Sequence, residues 1–445
     1  MRKKHLNFDS LLDKVDEVWL KIKDHREASK VKIDLVDALR SALACMFFQD
    51  PSLLQFQKRL QEQEGKNNVE TLFRVKLIPK TTQMRQIIDT VSSCELMPVF
   101  KKFYHLLQRQ KILENYHSST LKSYYFPIDG SRFFSSQELS CEQCLVKEHS
   151  NGSITYEHQV LQGGIMYPGI KQVIPFAPEQ IVNTDGYDKQ DCEYKAGMRM
   201  LDKIKSSFPK LKLTIGGDGL FSTQPFIEKI KEKKYHYLLV AKTGNHKYMY
   251  DYINAFDKLS CVEFKDEDGT IHKYEWENKV PLKDDPKSLN VNFLRCSITP
   301  RTRRVKDKIK RGKTFKCAWV TDFEITEANI KTLVAFGRCR WKNENEFFNV
   351  LKNHGYEMEH NYGHGSKNLS FNFFTITLLA FFMHQILQMT DEVYKQCLAK
   401  FGSKKTFWSY LRSYIRIIVF DSWDLLILFT LNPSSHKIRI SFDTS

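Results

Sequence analysis

YYFPIDG at residues 124–130 and LKLTIGGDG at residues 211–219 decide how this chain is read. Each is a short, mostly apolar run that ends on an aspartate beside glycine, the pattern of a buried strand running out at a sheet edge. Between them, SITYEHQVLQGGIMY (153–167) and KQVIPF (171–176) read as two more strands, with turns at Asn151-Gly152 and Pro168-Gly169. Residues 188–208 read as a helix: Cys192, Ala196, Met200, Leu201, Ile204 and Phe208 share one side, and Pro209 stops it. A helix at 224–234 and a strand in YHYLLVAK (235–242) follow.

Working outward, short alternating segments from 243 to 337, such as SCVEFKDEDGTIHKYEW, predict antiparallel strands joined by Asp-Gly and Pro turns. Residues 328–336 and 341–353 read as helices, and 369–431 as helical and apolar. Residues 1–118 show apolar spacing of three and four with no strand pattern. The predicted fold class is α/β: an RNase H-like core with a mixed sheet flanked by helices, built from 119–242 and 338–368. A helical domain at 1–118, a β-rich insertion at 243–337 and a helical C-terminal region at 369–445 surround it. In that order of elements the first and fourth strands lie side by side, so Asp129 and Asp218, each ending its strand, meet at one edge. A third carboxylate from the last core helix, Glu344 or its neighbour Glu346, completes a metal site. Such oxygen ligands suit Mg²⁺, a hard cation. Two ions about 3.5–4 Å apart can activate the attacking oxygen and stabilise the leaving one at a phosphodiester.

The composition agrees with a polyanionic partner. The 445 residues carry 68 Lys plus Arg against 52 Asp plus Glu, a net charge of +16. Cationic side chains displace condensed counterions from phosphates. Lys101, Lys102, Arg109 and Lys111 make the helical segment 1–118 a candidate DNA-binding domain, and the basic run 301–316 is either a phosphate-tracking surface or a solvated loop. Ten cysteines without a secretory segment suggest reduced thiols in the cytoplasm. The apolar stretch 371–389 holds Asn372, His384 and Gln385 and reads as a buried helix rather than a membrane span. Cys141-x2-Cys144, with His149, His158 and Cys192 nearby in sequence, is a candidate zinc set; a hairpin of reduced thiols is the alternative, and His360 and His364, in a Gly-containing loop, are expected to orient that loop rather than to be ligands.

IDGSRFF, the CEQC segment, YEHQ, KQDCEYKA, GGDGLFS and RCRWKNENEFFNVLKNHGY…EHNYGHG together resemble transposases of bacterial insertion sequences with a DDE site and an inserted β domain. The likeness runs from about Tyr125 to Leu369. Such transposases carry Tyr-x2-Arg-x3-Glu-x6-Lys on the catalytic helix. Arg340 and Glu344 match the Arg-x3-Glu spacing, which at i and i+4 shares one helical face, so Arg340 is expected beside Glu344 or on the scissile phosphate. The Tyr position falls on Gly337 and the Lys position on Leu351, with Lys352 one residue late. The resemblance implies Mg²⁺-dependent hydrolysis at the ends of an element and strand transfer into target DNA, with Mn²⁺ able to substitute. It implies catalytic and metal-binding roles for Asp129, Asp218 and Glu344, and phosphate contacts for Arg340 and Lys352. It also implies double-stranded DNA, both element ends and target, as partner, and a homodimer in a synaptic complex. A same-fold nuclease that cuts without joining, and a decayed DNA-binding relative, are the alternative readings.

Overall fold

The computed structural model describes residues 6–61, 67–183, 192–301, 303–305, 308–310, 312–360 and 362–435. Its strands are β1 (His117–Ser118), β2 (Ser123–Ser136), β3 (Leu145–Glu148), β4 (Ile154–Ile165), β5 (Ile174–Pro175), β6 (Glu179–Ile181), β7 (Leu213–Gly217), β8 (His236–Val240), β9 (Ser260–Lys265), β10 (Ile271–Pro281), β11 (Asn290–Thr299), β12 (Arg303–Val305), β13 (Lys308–Lys310) and β14 (Phe315–Thr321). All but β12 and β13 join one 12-stranded mixed sheet, ordered β3-β4-β2-β7-β8-β14-β11-β10-β9, with β1, β5 and β6 attached at its side. The protein is thus α/β, with helices flanking a mixed sheet.

Burial explains the order. In β7 every residue of LTIGG is buried, as a central strand covered on both faces requires. It runs parallel to β2 on one side and to β8 on the other. β10 alternates instead: His272, Tyr274 and Trp276 point inward while Ile271, Lys273 and Glu275 are less covered, the period-2 signature of a half-buried strand.

Three features differ from the sequence reading. β2 does not end at Asp129 but continues to Ser136, paired antiparallel with β4 and bulged between Arg132 and Phe134. Asp-Gly here is mid-strand, because β4 supplies a hydrogen-bonding partner that the local pattern does not reveal. Second, the strands of 243–337 extend the central sheet: β14 pairs antiparallel with β8, and β11, β10 and β9 follow outward. Third, residues 341–353 are not one regular helix; Asn343–Phe348 form a π-helical turn between Ile330–Cys339 and Asn349–Asn353. The helix expected from 188 begins at Glu193, and its expected start lies outside the described residues. Part of the basic run 301–316 and the C-terminal residues from 436 also lie outside them.

The N- and C-terminal helices pack as one body. Phe47, from helix Leu35–Phe47, stands at the centre of an aromatic cluster with Phe8, Phe73, Trp408 and Trp423. The Asn68 amide donates to the carbonyls of Ile415 and Ile418 and accepts from the Phe420 amide. Helix Leu369–Thr390 is long and apolar enough to cross a membrane, yet 94% of its most apolar window is buried inside the protein. Its polar residues are the ties to neighbouring segments. Asn372 donates to the Ile88 and Val91 carbonyls, His384 meets the Tyr356 hydroxyl at 2.7 Å, and Gln385 accepts from the Val173 amide. A polar group so placed is costly to bury unless it is hydrogen-bonded.

Candidate active site

Parallel pairing of β2 with β7 sets Tyr124 opposite Leu213 and Pro127 opposite Gly216. Carried two residues on, the same register places Asp129 beside Asp218. Asp218 Oδ1 accepts from the Leu220 amide at 2.8 Å, and its Oδ2 lies 3.2 Å from Lys242 Nζ. Lys242 follows β8, the next parallel strand, and its aliphatic stem lies over Gly219. Asp129 Oδ1 accepts from the Gly130 amide at 3.1 Å, and its Oδ2 lies 3.3 Å from an Arg340 guanidinium nitrogen.

Burial raises the Asp129 pKa, and the Asp218 and Glu344 carboxylates push it further, against the pull of Arg340. Glu344 therefore lies within electrostatic reach of Asp129, on a π-turn that packs against β2. The rival Glu346 lies in the field of Lys404 instead. Arg340 is bonded to Asp129 rather than to Glu344; the π-turn begins just after it and breaks the regular spacing that would align residues four apart. Lys352 is paired with Glu359 at 2.9 Å. Phe347 is buried and stacked on Phe348 and on Phe381, with centroids 5.5 and 5.2 Å away, which makes it core. Trp341 is half exposed, edge-on to Phe315.

A fourth carboxylate was missed by the sequence reading. Glu193 opens helix Glu193–Ser207, which is held over β2, β4 and β6 by Ala196, Met200, Leu201 and Ile204. Its pKa is raised by burial and then by Asp129 and Asp218. An acid in a first helical turn is ordinarily favoured by the helix dipole; here burial and like charge outweigh that. A Cβ on Gly130 would lie 2.2 Å from the Glu193 carboxyl carbon, so glycine at 130 is what admits Glu193 beside Asp129. The available signal was an acid at a helix start together with a glycine directly after Asp129.

Gly337, where the transposase signature has Tyr, has no room for a side chain. A Cβ there would lie 2.5 Å from Cε2 of Trp319, which is fully buried in β14. Gly337→Tyr is expected to destabilise the protein by about 1–3 kcal/mol or more through overpacking. A thermal melt checks this, and an unchanged Tm would contradict it.

A second cluster combines soft and borderline ligands. Cys141, Cys144, His158 and His364 bring their ligand atoms within 4.8 Å of one another, and such a group can hold a metal ion such as zinc. Cys192, expected in this set, is not part of it. It is exposed at the start of the Glu193 helix, and His364 stands in the fourth place. Nearness in sequence misled: His364 is 206 residues from His158, and the fold alone brings the two together. Cys141 is held well below the usual thiol range by the Cys144 thiol and the two imidazoles, and the same contact pushes Cys144 up.

No protein-family model matches this chain, and no curated protein is significantly similar to it.

Proposed function

We propose that this chain is a DDE-type DNA transposase that hydrolyses phosphodiesters at the ends of its element and joins the freed ends to target DNA. The observation that carries the reading is the acidic cluster. Asp129, Asp218 and Glu193 gather where the parallel pairing of β2 with β7 ends, with Glu344 in reach and two cations, Arg340 and Lys242, laid on the carboxylates of Asp129 and Asp218. The strand order β6-β4-β2-β7-β8, with β4 antiparallel and β2, β7 and β8 parallel, supports an RNase H-like core.

The all-oxygen donor set fits Mg²⁺, or Mn²⁺ in its place. Asp129 and Asp218 would hold it, with Glu344 and Glu193 completing the ligand set. When bound, the metal supplies activation of the attacking oxygen and charge stabilisation of the leaving one. Arg340 and Lys242 neutralise Asp129 and Asp218 in the free protein. With metal on those carboxylates, both cations would be free to face a phosphate, where Arg offers a forked donor set and Lys a point charge. The +16 net charge supports a long DNA contact. Two element ends held together call for a homodimer, acting in the cytoplasm on nucleoid DNA.

The test uses labelled duplexes copied from the DNA flanking the gene, incubated with the full chain and Mg²⁺. Cleavage that leaves 3′-hydroxyls, followed by joined products, is expected. Cleavage without joining would replace the proposal with a nuclease; DNA binding without cleavage would make the chain a DNA-binding relative.

Metal binding has a pH signature. Asp129 and Glu193 have folded pKa values raised above their ordinary 3.8 and 4.5. For a raised acid, the folded state gains stability at low pH and loses it as pH climbs through the folded pKa. Mg²⁺ offsets the repulsion only where the carboxylates are ionised. The increase in Tm on adding Mg²⁺ should therefore be smallest in the ordinary carboxylate range and grow as pH rises above it. An increment independent of pH would argue against these ligands.

A further inference from the structure

We infer that Cys141, Cys144, His158 and His364 form a closed tetrahedral zinc centre that fastens the loop after the Glu344 segment to the sheet. The distances carry it. The two sulfurs are 3.7 Å apart, the sulfur–nitrogen separations are 3.6, 3.5 and 3.4 Å, and the two Nε2 atoms are 3.1 Å apart. Tetrahedral zinc with Zn–S of about 2.3 Å and Zn–N of about 2.0–2.1 Å requires edges of about 3.8, 3.5 and 3.4 Å for these pairs. These five separations match within about 0.3 Å, and the sixth pair, Cys141 Sγ and His364 Nε2, lies within 4.8 Å. A Cys141–Cys144 disulfide would need about 2.05 Å between the sulfurs, far less than is present.

The surroundings prepare the ligands. His364 Nδ1 lies 2.9 Å from the Gly365 carbonyl, and donation there leaves Nε2 free for metal. The His158 ring is stacked on Phe133 and flanked by Phe134, which also packs on His364. The Cys141 amide points at Cys144 Sγ at 3.4 Å, and the Cys144 amide bonds back to the Cys141 carbonyl, a turn that presents both sulfurs together. In the zinc-bound centre both cysteines are thiolates and both imidazoles neutral, any remaining thiol proton passing to solvent, which gives Zn²⁺ two negative ligands and no net charge. Four protein ligands leave no position for substrate, which defines a structural site rather than a catalytic one.

The position of the site gives its role. Cys141 and Cys144 lie between β2 and β3, and His158 lies on β4, the partner of β2 beyond Asp129. His364 lies on the connection from the Glu344 segment to helix Leu369–Thr390. From the other side, Arg85 donates to the Tyr362 carbonyl, and Asp89 accepts from the amides of Ser366, Lys367, Asn368 and Leu369. Zinc would thus lock the connection between the sheet and the N-terminal helices. The inference stands independently of the phosphodiester chemistry.

The full chain, purified reduced without chelator, should contain about one zinc by elemental analysis. X-ray absorption at the zinc edge should show two sulfur and two nitrogen neighbours, a readout that needs no variant. His364→Ala should lower zinc affinity by at least about a hundredfold, since even outer-shell partners cost 10–100-fold. Cys192→Ser and Asp218→Asn should keep full zinc, and stripping zinc should open residues 354–368 to proteolysis. A zinc-free chain, a shell without sulfur, undiminished affinity in His364→Ala, or zinc loss in Cys192→Ser would each overturn the inference.

Discussion

Asp218→Asn is expected to abolish Mg²⁺-dependent cleavage, by at least about a hundredfold, while leaving DNA binding intact. The estimate is a floor, because losing even a group that only orients a metal ligand costs 10–100-fold. The change removes one carboxylate charge, frees Lys242 from its 3.2 Å partner and alters no apolar packing. It also relieves part of the repulsion that adds to burial in raising Asp129 and Glu193, so the metal-free variant should melt no lower than the parent. DNA affinity should hold or tighten slightly, since a negative charge has left the surface proposed to meet phosphates. A cleavage gel and a binding titration on the same preparation decide it. Cleavage at the parent rate would remove Asp218 from the active site, and lost DNA binding would give it a different role.

The largest stability loss is expected far from that site, at Arg59→Ala. Arg59 and Asp50 form a two-pronged pair at 3.0 and 2.7 Å, with side chains only 6% and 3% exposed. Removing the arginine leaves a buried carboxylate unpaired, a loss of about 3–5 kcal/mol. The damage should be global. The turn that carries Asp50 also receives the Tyr362 hydroxyl at the Asp50 carbonyl, and Arg412 donates to the Phe48 and Gln49 carbonyls. Replacing both partners by apolar residues of similar volume, Asp50→Leu with Arg59→Met, should recover most of the loss. Glu27→Ala, which breaks the exposed Lys30 pair, should leave stability unchanged. Denaturant melts compare the three; an Arg59→Ala chain as stable as Glu27→Ala would contradict the burial argument.

Much of the site was legible where it depended on short-range pattern. Asp129 and Asp218 each follow an apolar run and adjoin glycine, and parallel strands starting in register bring such positions side by side, although β2 runs on past Asp129. Cys141 and Cys144 announced themselves by spacing. The partners that complete each cluster did not. Glu193 looks like an ordinary acid in a first helical turn, and the missing side chain at Gly130 leaves the space its carboxyl occupies. His364 lies 220 residues from Cys144 and carries no local mark of a ligand. Arg340 kept the expected spacing from Glu344 but turned to Asp129.

The same division holds for the fold. Alternation in residues such as His272, Tyr274 and Trp276 determines that 271–281 is a strand, because one face must be buried. It does not determine which edge that strand joins, since backbone N–H and C=O groups are alike in every strand. Only the tertiary structure decided that β14 pairs with β8, making the segment after 243 an extension of the central sheet. The sequence by itself determined most of the elements, the charge and the position of the two aspartates after apolar runs, all legible from side chains within a few residues of one another. Glu193, His364, the direction of Arg340 and the continuity of the sheet depend on contacts between segments far apart in the chain, which close only when the core packs.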